Sequence, residues 1–110
     1  MAEAPIVIVF VTASSDAEAR RIGHALVGER LAACVNVIGP LHSIYRWAGE
    51  VREDAEHLLL VKARREDVDT LATRVRALHS YEVPEVVALD VVTGSAPYLA
   101  WVREVTTRGG

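Results

Sequence analysis

The chain has 110 residues, 51% of them hydrophobic, and a formal net charge of -3. That length suits one domain spanning 1–110, and that apolar share suits a packed core rather than disorder. The charge excludes a strong global pull toward nucleic acid or an anionic membrane.

Cys34 is the only cysteine. No intrachain disulfide can form, which argues against a stapled secreted fold and for a reducing compartment. Arginine outnumbers lysine eleven to one, and no function is read from that ratio. The opening "MAEAPIVIVFVTASS" holds an apolar run too short to span a bilayer, with no basic segment before it. The expected location is cytoplasmic.

"IVIVFVT", residues 6–12, is continuously apolar and β-branched, the pattern of a central strand buried on both faces. Ser15 with Glu18 three places on forms a capping box and opens a helix. Ala19, Ile22 and Leu26 carry that helix to about Arg30 at helical spacing. "LAACVNVIGPLHSIYRW" then alternates as a strand, and Gly39-Pro40 interrupts it with an expected bulge or bend. "AGE" signals a tight turn, and "VREDAEHLLLVKA" returns as a second long strand. With Ala48-Gly49 as the loop, Trp47 faces Glu50, His42 faces Ala55 and His57 faces Pro40. "REDAE", residues 52–56, reads as a solvated stretch.

Val68, Leu71, Ala72, Val75 and Leu78 predict an amphipathic helix from about Glu66, ending before Pro84. "EVVALDVV" is the fourth strand. Ser95 is a candidate N-cap and Pro97 suits the first turn of a short last helix with Tyr98, Trp101, Val102 and Val105. Gly109-Gly110 is expected to fray. The order β-α-β-β-α-β-α contains the split β-α-β, or ferredoxin-like, pattern with an extra C-terminal helix. The fold class is α+β, with an antiparallel sheet and both main helices on one face.

The lengths do not match. A strand over 32–47 reaches roughly 50 Å at ~3.3 Å per residue. A helix over 15–30 covers about 24 Å at ~1.5 Å per residue. The hairpin must overhang, carrying Ile44, Tyr45 and Trp47 toward its tip. Exposed edges and apolar faces invite another chain, so a homo-oligomer built through this hairpin is expected. The alternative is a hairpin folded back over its own sheet at Gly39-Pro40.

"ERLAACVNVI", "SIYRWAGEV", "LLLVKAR" and "LHSYEVPEVVALDVVTGSAPYLAWV" resemble, in order from about Val7 to Val102, the CutA, or divalent-cation tolerance, family. The resemblance implies a homotrimer with interlocking hairpins, similar in architecture to PII signalling proteins. It also implies an association with copper and other divalent metals, and no established enzymatic reaction. Some members carry a cysteine at the end of the first strand and a histidine pair before the "Y-x-x-P" turn as candidate ligands. Here Val11 and Leu78 stand at those places, Ser80 stands where proline is common, and only His79 carries over.

His79 is the leading metal candidate, since neutral imidazole is a common ligand. The competing reading is a helix-terminal residue favoured by the macrodipole. Cys34 and Glu82 are the weaker candidates. The thiol suits copper(I) or zinc, although its apolar setting "AACV" also fits an inert buried cysteine. Copper(II) or another divalent transition metal fits imidazole and carboxylate better than calcium does. Lys62, Tyr81 and Glu82 are the candidates for lining a cleft that takes a small anion or a partner. Ile44, Tyr45 and Trp47 are the candidate trimer interface. No G-x-x-x-x-G-K, G-x-G-x-x-G or G-x-S-x-G motif is present, and no nucleophile–base set can be read, so the protein is not expected to be an enzyme. The expected partners are further copies of the chain and a divalent metal ion.

Overall fold

The computed structural model describes residues 3–108; Gly109 and Gly110 lie outside them. The elements are β1 (Ile6–Ala13), α1 (Asp16–Gly28), β2 (Cys34–Trp47), β3 (Glu50–Arg64), α2 (Val68–Leu78), β4 (Val86–Asp90) and α3 (Ala96–Val105). A single 3₁₀ turn, Arg65–Asp67, leads into α2 and takes the place of its expected first turn. The four strands form one antiparallel sheet in the order β2-β3-β1-β4.

Strand alternation sorts β1 into two faces. Val7, Val9, Val11 and Ala13 are buried with Ala19, Ile22 and Leu26 of α1 and Leu71 and Val75 of α2. Both main helices thus cover one face. Leu59, Val61 and Ala63 of β3 complete that core. Ile6 faces the other way and packs with Ala33 and Val102, so α3 covers one end of the second face. The rest of that face keeps Val87 and Leu89 of β4 exposed.

Ser15 caps α1, its Oγ accepting from Glu18 N at 3.1 Å. The return half of the box is displaced by one residue. The Glu18 carboxylate accepts from Ser14 N at 2.9 Å and Ser14 Oγ at 3.0 Å, rather than from the cap's own amide. Ser95 stands at the N-cap of α3, but its side chain makes no capping bond.

The hairpin pairs as its pattern predicts, with Trp47 opposite Glu50 and His42 opposite Ala55. Ala48 and Gly49 both take left-handed backbone, φ 51° and 79°, the geometry that a two-residue turn between twisted strands requires. The register shifts between Ile38 and Leu41, which sets His57 against the Gly39-Pro40 bulge. Pairing resumes beyond it and runs to the tip. The hairpin therefore does not fold back: it projects as an arm, and the molecule measures 49 × 26 × 21 Å. Along the arm the alternation puts Tyr45 and Trp47 on one face, and Ile44 and Val51 on the other. Ile44 is 70% exposed and Trp47 59%.

Candidate functional site

The chain leaves α2 at His79, whose amide still donates to Val75 O at 2.9 Å while its own backbone turns extended. That turn sends the imidazole inward to the end of β1, where its side chain is 0% exposed. Nε2 meets Thr12 O at 2.6 Å and Nδ1 meets Tyr81 N at 3.0 Å. A carbonyl needs a donor and an amide needs an acceptor, so the ring is the neutral tautomer protonated on Nε2. The helix-terminal reading of His79 holds for its position, but not for the cation that the macrodipole would favour. His79 ends the helix, and its one lone pair is taken by a backbone amide two residues on.

Around the ring the chain gathers two carboxylates. Glu18 Oε2 accepts from Ser80 N at 2.8 Å and lies 4.0 Å from His79 Nδ1. Burial alone would push this carboxyl up, but the hydrogen bonds from Ser14 and Ser80 prevail and hold it down at about 2. Arg21 approaches Glu18 at 3.9 Å and donates to Leu78 O at 3.1 Å, a cation at the carbonyl end of α2. On the other side the Tyr81 hydroxyl donates to Glu56 Oε2 at 2.9 Å. Burial, with the Glu56 carboxylate beside it, pushes that phenol up to about 12. The Tyr81 and His79 rings stack obliquely, 4.6 Å between centroids.

Glu56 corrects the expectation of a solvated "REDAE" stretch: it is buried beneath Tyr81. Glu18 was legible only as a cap. Its second bond, to Ser80, spans 62 residues and leaves no local signal.

The other site candidates lie apart. Cys34 stands opposite Lys62, which in turn stands opposite Ile8. His79 touches Thr12, so along β1 alone the two levels differ by about 13 Å at ~3.3 Å per residue. Cys34 is half-buried beside the Tyr98 phenol, which is raised by burial and by that thiol. Glu82 is exposed and forms no hydrogen bond or ion pair among the described residues. His79, Cys34 and Glu82 therefore do not converge within one chain. Among the described residues no group of three or more His, Cys, Asp or Glu is placed to hold an ion.

Lys62 reaches the Asn36 carboxamide on the neighbouring strand. It is six residues from Glu56 along β3, roughly 20 Å. One chain thus does not bring Lys62 to Tyr81 and Glu82. His42 and His57 also stay apart: His42 Nδ1 is 3.4 Å from Glu53, and His57 Nε2 is 3.9 Å from Asp16. Among the described residues no helix is long and apolar enough to cross a membrane.

Comparison with known proteins agrees with the motifs. A family model described as "CutA1 divalent ion tolerance protein" matches residues 7–105. The "Divalent-cation tolerance protein CutA" of Thermus thermophilus is 54% identical over 99 residues, 90% of this chain and 96% of that protein. "Protein CutA" of Homo sapiens is 48% identical over 97 residues, 88% of this chain and 54% of the human protein. A solved divalent cation tolerance protein from Thermus thermophilus superposes with a TM-score of 0.91 at 53% identity, covering 93% of this chain and 99% of that one. CutA1 from Oryza sativa superposes at 0.93 with 39% identity, covering 96% and 97%. The chain belongs to the CutA1 divalent ion tolerance family.

Proposed function

We propose that the protein acts in divalent-cation tolerance as a non-enzymatic, cytoplasmic homotrimer that engages copper(II) or another divalent transition metal between its subunits. The observation that carries the reading is the two-sided arm. Ile44 with Val51, and Tyr45 with Trp47, leave apolar surface bare on opposite faces. One flat neighbour covers only one face, whereas a ring of copies offers each arm two flanks. A metal centre inside one chain does not fit these residues, because the His79 lone pair is engaged and Cys34 and Glu82 lie elsewhere. Ligands contributed by several copies remove the separation, and the exposed Glu82 carboxylate, unpaired among the described residues, is free to take part.

Sedimentation tests the assembly. The expected mass is that of three chains down to micromolar concentration, and the mass of one chain overturns the proposal. Calorimetric titration of the assembled protein with copper(II) tests the cargo. Saturable heat that falls in Glu82→Gln is expected, and heat of dilution alone removes the metal half.

A second reading, a PII-like scaffold trimer taking a small anion or a protein partner in an intersubunit cleft, draws on one feature. Lys62 is held by the neutral Asn36 carboxamide, which leaves its charge available to an anion. A thermal-shift series with nucleotides and organic acids separates the readings, since a ligand of the native state raises Tm by mass action.

A further inference from the structure

Helix α1 ends in a Schellman motif: Arg30 N donates to Val27 O at 3.1 Å and Leu31 N to Leu26 O at 2.9 Å. The residue at the left-handed position of that motif is normally glycine, because a Cβ there is strained. Here it is Arg30, at φ 61°. The backbone role of this residue, accepting from Arg108 Nη1 at 2.8 Å through its carbonyl, needs no side chain. Among the described residues the guanidinium itself makes one long bond, from Nη1 to Val105 O at 3.3 Å. Strain kept at such a position points to use of the side chain.

Arg30 stands at the rim of a groove of about 310 Å³ between the end of α1 and α3, with Val27, Ala32, Ala33, Trp101 and Val105. Trp101 and Val27 each remain about two-fifths exposed toward solvent. Tyr98 braces the Trp101 ring, 5.6 Å between centroids. Among the described residues no carboxylate lines the groove. The neighbouring acid, Glu29, is turned away into a bidentate pair with Arg74. An apolar trough of ligand size with one cation at its mouth matches a particular chemistry. The guanidinium fork suits a carboxylate, and the indole suits a hydrocarbon body. A polyphosphate or a nucleic acid would need more cations than one.

We propose that this groove is a binding site for a small amphipathic monocarboxylate, with its carboxylate on Arg30 and its hydrocarbon part against Trp101, Val27 and Val105. The site is separate from the His79 loop and does not depend on the metal reading.

Octanoate is a suitable probe. The chain has two tryptophans, so in Trp47→Phe the emission reports Trp101 alone. A saturable change on titration to millimolar octanoate is expected, with octanol at least tenfold weaker. Arg30→Gly separates binding from folding: Tm should rise as the strain is relieved, while octanoate affinity falls at least tenfold. In the unsubstituted protein, amide shifts on adding octanoate should centre on Arg30, Ala32 and Trp101. The proposal is overturned by an absence of saturable change, by equal affinity for octanol, by undiminished binding in Arg30→Gly, or by shifts centred elsewhere.

Discussion

The Tyr81 hydroxyl donates to Glu56 Oε2 at 2.9 Å, and this bond joins the loop after α2 to the root of the β2–β3 arm. Tyr81→Phe keeps the ring on His79 but strands a buried carboxylate. The expected cost is about 1–3 kcal/mol in urea unfolding. Paired with Glu56→Gln in a double-mutant cycle, the two changes should be non-additive. Strict additivity would mean that the hydroxyl and the carboxylate do not interact in solution.

Glu18 gives the acid response its sign. Its folded value, about 2, lies below the ordinary 4.5, so ionised Glu18 favours the folded state. That contribution is fully present above pH ~4.5 and is lost as the pH falls through about 2. At 1.36 kcal/mol per unit it amounts to about 3 kcal/mol. Unfolding free energy measured from pH 6 to pH 2 should decline over this window. In Glu18→Gln the decline should be shallower, from a lower plateau. Equal slopes in the two proteins would assign the acid sensitivity to other groups.

Gly39 is fixed by its neighbour rather than by its own backbone. A Cβ built there falls 2.6 Å from His57 Cδ2 and 3.1 Å from His57 Cα. Gly39→Ala should therefore destabilise by about 1–3 kcal/mol through overpacking. The same change in a His57→Ala background should cost less, because only the backbone contact remains. Thermal unfolding of the four proteins checks this, and an undiminished penalty would locate the clash elsewhere.

Ala48 carries a positive φ of 51° at the arm's tip. Asparagine tolerates that conformation better than alanine does. Ala48→Asn should stabilise by about 0.5–1 kcal/mol and leave strand pairing unchanged. A fall in Tm would show that the tip adopts another turn.

The local parts of this fold were written in local chemistry. Ser15 and Glu18 announced the start of α1. Ala48-Gly49 set the register of the hairpin, and Gly39-Pro40 marked the bulge. Those signals act over a few residues, where turn geometry and alternation decide the outcome. The site was less legible. His79 stood out by type, yet its partners Thr12, Glu18 and Tyr81 arrive from three elements, and each bond is to a backbone group or a distant side chain. Glu56 looked solvated because its cover, Tyr81, lies 25 residues away. The resemblance implied that Cys34 joins His79 and Glu82, and that Lys62 joins Tyr81 and Glu82; register instead sets Cys34 and Lys62 opposite each other, four residues along β1 from the level that His79 touches. Register places residues by pairing partner and ignores chemical affinity.

The loop from His79 to Tyr81 is fastened from inside by Thr12 and Glu18 and from outside by Glu56. Arm and helical layer consequently form one lever. The arm's root is held from the helical side by the Tyr81–Glu56 bond and by the approach of His57 to Asp16 at 3.9 Å.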